Sequence, residues 1–400
     1  MPHEFEGHVH WHEPVGLTPA GLSRFRRPAT AYDRFMENDG IGVTRGMAVA
    51  DLTDLPLHDW PRTGGRGRYI QLNGTESLWG CYLVEVPASG ALKVEQHLYE
   101  KVFLALSGRG TTEVWREGGR RHVFEWQEGA MFSIPLNARH RIVNATGEPA
   151  LLLAGTTAPG VLNLLGDPAA VFTSAYAPAG EEDDELFTPF DDIAPDPVRE
   201  LALCRTHLVP DAIGCDLPLD NRFSPGYRQM ELEMTGTIFH AAIGQHRPGR
   251  YAKAHLLPVG AALICLAGSG YSHLWPETLG PTPWRDGLAD AVLRVEHRRF
   301  SMMAAGPGGG RWYHQSFGTA KQGLRHLLWS GIAAPGRDPG SPGEEVIDPT
   351  AIDLPDGGSA IPYWLEDPIH RARHTAAMLE AGIVNRMRDD DYLPPNSDPL

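Results

Sequence analysis

Residues Leu106 to Trp115 read LSGRGTTEVW, and residues Leu266 to Trp275 read LAGSGYSHLW. Both are Leu-x-Gly-x-Gly with a Trp five residues after the second glycine. Each follows a short apolar run, VFLA from Val102 or LIC from Leu263, and each has a histidine further back, His97 or His255. Each is also followed by a histidine in a turn-rich segment, His140 or His314. So many matched positions mark an internal repeat, and a repeat of this length makes two copies of one domain.

Outward from these turns the pattern is β. Runs such as CYLVEV from Cys81, HVFEW from His122 and ALLLAG from Ala150 are short, apolar and bounded by Gly, Pro and Asn. Paired glycines suit a turn that needs positive φ between antiparallel strands. Many short strands with regular turns predict an all-β chain of two closed barrels or sandwiches. We expect an irregular N-terminal arm over 1–64, barrel one over 65–160, a linker over 161–234, barrel two over 235–335, and a linker with a C-terminal helix over 336–400. The first linker holds the acidic, Pro-rich stretch from Ala179 to Glu200, and the second begins at Ala334. The helix is read from Ile369, Ala376, Met378, Leu379 and Ile383, taken as its core-facing positions.

The totals fit this picture. Four hundred residues suffice for two domains, and 42% hydrophobic with 21% charged residues is a globular composition. The net charge of −15 argues against nucleic acid or an anionic membrane as partner, and its plainer reading is solubility. No apolar run has the length of a membrane span, and MPHEFEGHVHWHEP lacks the basic and apolar regions of a secretory signal, so a cytoplasmic protein is expected. Cys81, Cys204, Cys215 and Cys265 are scattered, which speaks against a zinc knot or a disulfide framework. The only lysines are Lys93, Lys101, Lys253 and Lys321.

One segment is more specific. Gly129-AMFSI-Pro135-L-Asn137-AR-His140-RIV-Asn144 resembles the second characteristic cupin motif, Gly-x5-Pro-x-Gly-x2-His-x3-Asn, with only the glycine after proline changed to Asn137. With the phrases FEWQEGAMFSIPLNA and RYAKAH, the chain resembles a large group of bacterial bicupins distantly similar to gentisate and quercetin dioxygenases. The resemblance implies two double-stranded β-helix (cupin, jelly-roll) barrels with a pocket inside the barrel, and homodimers are common in such proteins. It does not imply one reaction.

In metal-binding cupins the first motif, His-x-His-x3–4-Glu, and the histidine of the second supply four inward ligands. The matching positions in barrel one are Glu95, His97, Lys101 and His140. Carboxylate and lysine replace the first His and the Glu, while Glu100 adjoins the second change. Glu95, His97 and His140 remain a 2-His-1-carboxylate set for one divalent metal, with Fe, Mn, Ni, Cu and Zn not distinguished. The alternative is that both histidines are hydrogen-bonded pocket residues without a metal. The matching positions in barrel two are His255, Leu257, Ala262 (or Ala261) and His314, and no metal is expected there; a structural barrel with satisfied core histidines is the reading.

Three other features weigh less. His8, His10 and His12 would share a strand face, but a frayed arm is the expectation. Trp312 and Tyr313 read as core. Arg250 and Lys253 read as solvated charges or as anchors for an anionic substrate.

The functional expectation is an enzyme of small-molecule metabolism acting in barrel one, a divalent-metal-dependent oxygenase or oxidoreductase. A metal-independent isomerase, lyase or cyclase using the pocket histidines, and a non-catalytic small-ligand-binding cupin, are the rivals. Tyr99, Glu100 and Lys101 are the candidate catalytic residues. The two-residue period of a strand puts 95, 97, 99 and 101 on one face, so Lys101 should enter the pocket and meet Glu95 or substrate.

Overall fold

A computed structural model of the chain describes residues 28–76, 78–176, 187–189, 193–195, 201–234, 239–256, 260–306, 311–330 and 349–395. The expected positions His8, His10, His12 and Leu257, most of the acidic linker and the start of the second linker lie outside the described residues.

Barrel one is built from β1 (Gly80–Val86), β2 (Gly90–Ala91), β3 (Lys101–Ser107), β4 (Arg109–Trp115), β5 (Arg121–Gln127), β6 (Met131–Ile134), β7 (Arg139–Asn144) and β8 (Ala150–Thr156). They form two facing sheets, ordered β1-β8-β3-β6 and β2-β7-β4-β5. Barrel two repeats the plan with β9 (His240–His246), β10 (His255–Leu256), β11 (Ala262–Gly268), β12 (Gly270–Pro276), β13 (Leu293–His297), β14 (Met302–Ala304), β15 (Trp312–Gly318) and β16 (Leu324–Ser330). Its sheets run β9-β16-β11-β14 and β10-β15-β12-β13. First strand beside last in one sheet, second beside seventh in the other, is the strand order of an eight-stranded jelly roll.

The repeated Leu-x-Gly-x-Gly turn carries the chain from the large sheet to the small one, not between paired strands. Its two glycines have different duties. Gly108 and Gly268 take φ of 81° and 84°, the left-handed region open to glycine. Gly110 and Gly270 allow close approach: a Cβ would lie 2.3 Å from the Val143 carbonyl oxygen and 2.0 Å from that of Phe317.

Both faces of the large sheet of barrel one are covered, so its central strand β3 is largely apolar on both sides. In β3, Phe103 and Ala105 face the barrel interior with Tyr82, Phe132 and Ile142, and Val102, Leu104 and Leu106 face outward. Those outward residues join Leu83 and Leu153 of barrel one to Ile243, Ile264, Leu327 and Trp329 of barrel two in one inter-barrel core. Each fully buried aliphatic side chain there stabilises by roughly 1.5–3 kcal/mol.

Each barrel also borrows an edge strand from the chain ahead of the other. Ala48–Val49 pairs with Met302 and Met303 of β14, while Leu208–Val209 pairs with Met131 and Phe132 of β6. The described part of the expected N-terminal arm is therefore ordered. Thr30 and Asp33 form a capping box on helix α1 (Ala31–Asp39), and strand Val43–Gly46 adds in parallel to Gly65–Leu72. Two short helices follow barrel one, α2 (Ala158–Leu165) and α3 (Pro168–Phe172).

The C-terminal helix is α4 (Pro368–Ala381). Its buried face is His370, His374 and Met378, whereas Leu379 is 83% exposed. The expected register was off because apolar spacing took no account of two buried histidines. They pack on an aromatic layer outside the small sheet of barrel two: His370 stacks on Trp275 and Phe317, and His374 lies against Tyr251. Arg250 bonds Asp391 at 2.8 Å and the Arg386 carbonyl, and Lys253 bonds Asp353 at 2.6 Å. Both cations thus fasten the C-terminal segment and are not surface charges. Among the described residues no helix is long and apolar enough to cross a membrane.

Candidate functional site

The site of barrel one forms where the segment before β3 crosses the end of β7. Glu95 and His140 exchange both backbone hydrogen bonds, at 3.1 and 2.9 Å. This bridge aligns the carboxylate with the motif histidine. Asn137 lies at φ 57° and donates its backbone N–H to the His97 carbonyl at 3.1 Å. Asparagine tolerates that conformation, so its replacement of the motif glycine keeps the turn.

Residues 96–100 are not regular strand, yet Glu95, His97, Tyr99 and Lys101 gather on the interior side. His97 lies flat on Tyr99, with ring centres 3.9 Å apart, and edge-on to His140 at 5.3 Å. The ammonium of Lys101 is wholly buried, 3.0 Å from Glu95 Oε2, and lies over the rings of Tyr82, Tyr99 and Phe103. Glu100 is the exception. It points toward barrel two, where its Oε2 accepts from the Phe239 backbone N–H at 3.1 Å. It is therefore no member of the pocket: it lies between Tyr99 and Lys101 and its side chain leaves on the opposite side.

Arg62 was not anticipated. It comes from a Pro- and Gly-rich stretch that carries no motif, and its Nη1 bonds Glu95 Oε1 at 2.5 Å. The guanidinium also bonds Asp39 at 3.1 Å and lies over the Trp60 ring, 4.7 Å from its centre. With 26% of its side chain exposed, Arg62 is the most open member of the cluster and marks its solvent side.

Burial by itself would raise the Glu95 carboxyl, but the charges of Lys101 and then Arg62 hold it well below the usual carboxylate range. Burial lowers the Lys101 ammonium, while Glu95 supports its charge. Burial and then Lys101 push His140 down to about 3 and His97 well below its ordinary value, so both imidazoles are neutral. The Nδ1 of His97 lies 2.8 Å from the Tyr99 carbonyl oxygen, which fixes a proton on Nδ1 and leaves a lone pair on Nε2. Among the described residues, His97 Nε2 and His140 Nδ1 have no hydrogen-bond partner.

These placements do not fit a divalent cation as they stand. His140 Nε2 is 3.7 Å from Glu95 Oε2, and the ammonium of Lys101 takes the place beside that oxygen. Among the described residues no three His, Cys, Asp or Glu side chains converge on a metal position.

Barrel two differs at each matching position. Counted back from the repeated turn, His255 corresponds to Glu95 and Ala261 to Lys101; Ala262 faces the inter-barrel core. His255 pairs with His314 as Glu95 does with His140. Three more histidines, His246, His297 and His326, are buried in the interior. Sequence reading missed them because each stands outside the cupin motifs, although His246 and His297 end strands at inward positions.

No protein-family model matches the chain, and no curated protein matches it. Among solved structures, oxalate decarboxylase of Bacillus subtilis aligns at 12% identity over 73% of this chain and 80% of that one, with a TM-score of 0.44. The formate complex of oxalate decarboxylase from Lactobacillus farciminis aligns at 10% identity over 73% and 89%, with a TM-score of 0.45. The chain thus has the fold of two jelly-roll barrels in one polypeptide, with the segment from Gly129 to Asn144 placed on β6, the turn after it and β7.

Proposed function

We propose that the protein is an enzyme of small-molecule metabolism whose barrel-one site performs metal-independent acid–base chemistry of the isomerase or lyase type. The observation that carries this reading is the Lys101 ammonium, 3.0 Å from Glu95 Oε2, where a cupin of the metal-binding kind would hold its cation. A fixed ammonium stabilises negative charge that develops on a substrate oxygen, and a preorganised donor of this sort is worth about 10²–10³ in rate. His97 Nε2, with its lone pair set by the Tyr99 carbonyl, is the base. It takes a proton from the carbon beside a substrate carbonyl, and the electron pair moves to the carbonyl oxygen facing Lys101. Return of the proton to a second carbon gives isomerisation; departure of a group from the adjacent carbon with its bonding electrons gives elimination. Substrate enters past Arg62, whose guanidinium suits a carboxylate or another anionic group. Tyr99 orients His97 and shields the ammonium.

The test combines metal analysis of untagged protein with proton exchange. Small carbonyl compounds are incubated in deuterium oxide, and loss of the α-proton is followed by NMR. Exchange in metal-free protein that disappears in Lys101→Met and His97→Gln supports the proposal. A second reading keeps a divalent metal and an oxygenase reaction, because His97, His140 and Glu95 do lie in one cluster. It requires the ammonium to move away from Glu95. One equivalent of metal, lost in His140→Ala, would favour it and sink the first.

A further inference from the structure

The interior of barrel two gathers five imidazoles. His246 and His326 have ring centres 5.6 Å apart, His297 and His326 4.6 Å, and His255 and His314 4.3 Å. Ser272 joins the group, with its hydroxyl 2.7 Å from both His297 Nε2 and the Ser316 hydroxyl. Leu263, Leu274 and Met303 pack together as an apolar group, with Val295 and Leu328 against them.

Two aromatic residues from the chain ahead of β9 cover the histidines. Phe223 stacks on His255 at 4.4 Å, and Tyr227 meets His246 edge-on at 5.1 Å. Gly244 makes room for the second: a Cβ there would stand 2.0 Å from the Tyr227 hydroxyl. Among the described residues His246 Nδ1, His314 Nδ1 and His326 Nε2 have no hydrogen-bond partner, though these side chains are 5–7% exposed. Leaving a buried polar atom unpaired costs about 1–3 kcal/mol. Three such atoms in one cluster of imidazoles point to a ligand that supplies the partners.

We infer that barrel two is a second binding site, for a small oxyanion held by the interior histidines and Ser272 beneath Phe223 and Tyr227. Every polar group named here either donates a hydrogen bond or becomes a donor when protonated, and Glu231, a buried carboxylate on the same sheet face as His246, is already bonded to His240 Nε2 and to Gln229 Nε2 at 2.8 Å. Asp220, beside the covering loop, is already paired with Arg222 at 2.6 Å. Burial, and then proximity to one another, pushes His246 down to about 3, and burial puts His297 at about 4. An entering negative charge offsets both effects by favouring the imidazolium forms. No three of these side chains converge on a metal position, so an anion fits the arrangement better than a cation does. The inference is independent of the chemistry of barrel one.

The full-length protein is titrated with acetate and, separately, with inorganic phosphate in mildly acidic buffer. Calorimetry and the imidazole ¹⁵N resonances are read together. Saturable binding that moves the barrel-two imidazole resonances is expected, weakened at least tenfold by His326→Gln and by Ser272→Ala and unchanged by Lys101→Met. Binding of acetate alone assigns a carboxylate ligand, and binding of phosphate alone a phosphoryl ligand. Unmoved barrel-two resonances in the wild-type protein would overturn the inference whether or not the variants fold. So would binding that survives His326→Gln but vanishes in Lys101→Met, or tight uptake of zinc by these histidines without any anion binding.

Discussion

His255 stands in barrel two where Glu95 stands in barrel one, each bridged to the motif histidine across the small sheet. The surroundings of that shared position set the two barrels apart. Around Glu95 stand Arg62 and Lys101; around His255 stand Phe223 and a second imidazole. One fold thus houses an ionic cluster in one copy and a cluster of buried imidazoles in the other.

The charge balance of barrel one makes a specific demand on two variants. Glu95→Gln leaves the buried Lys101 and the partly buried Arg62 without their shared carboxylate. Removing one side of a buried ion pair costs about 3–5 kcal/mol, mostly through the charge left behind. Lys101→Met leaves Glu95 still paired with Arg62 and replaces the ammonium with an apolar chain of similar length among Tyr82, Tyr99 and Phe103. It should cost clearly less. Urea unfolding of both variants measures the difference, and an equal or reversed order would refute the accounting.

Stability should fall steeply on the acid side. Buried His140 and His246 are neutral down to about 3, and His297 and His374 down to about 4, whereas an unfolded imidazole titrates near ~6.5. Between those limits the unfolded chain binds more protons than the native one, so stability drops as pH falls. Glu95 acts in the same direction at lower pH. Its folded carboxyl is depressed, so its stabilisation is present above the unfolded value of about 4.3 and lost below it. One proton gives a slope of about 1.4 kcal/mol per pH unit; several histidines together should exceed it. Unfolding free energies that stay flat from neutrality to pH ~5 would show that these imidazoles are not buried in solution.

Much of this was legible in the sequence because it rests on local pattern. The Leu-x-Gly-x-Gly repeat, the apolar strands and the Gly129–Asn144 motif each reflect geometry that a few neighbouring residues dictate. The inward turn of Lys101 and the outward turn of Glu100 match the alternation expected of a strand, although residues 96–100 are not regular strand. Arg62, His246, His297 and His326 could not be read in this way. They come from separate strands and loops, and only closure of the barrels brings them to the sites. The same holds for the exchanged edge strands, whose sequences are too short to announce a partner in the other barrel. Thr30 and Asp33 were readable as a capping box, and overlooking them hid helix α1.

The second glycine of the repeated turn provides a further check. Gly110→Ala drives a methyl to 2.3 Å from the Val143 carbonyl oxygen and 2.5 Å from the Trp126 ring, and Gly270→Ala to 2.0 Å from the Phe317 carbonyl oxygen. Backbone cannot yield as a flexible side chain can, so each should cost about 1–3 kcal/mol or more. Gly147→Ala, with no atom within 4 Å, should be near neutral. Thermal unfolding of the three variants tests the contrast.

The last prediction separates the two registers for the C-terminal helix. Apolar spacing treats Met378 and Leu379 alike, as adjacent core positions. In the fold they point apart: Met378 is 1% exposed on the face that carries His370 and His374, and Leu379 is 83% exposed. Met378→Ala removes buried volume and should cost about 2–5 kcal/mol. Leu379→Ala removes exposed surface from a helix in which alanine is the most favourable residue, so it should stay within about 0.5 kcal/mol of the parent. Unfolding midpoints of the two single variants decide the matter. Comparable losses at both positions would mean that α4 packs on barrel two through the apolar stripe, with its histidines turned away from Trp275 and Tyr251.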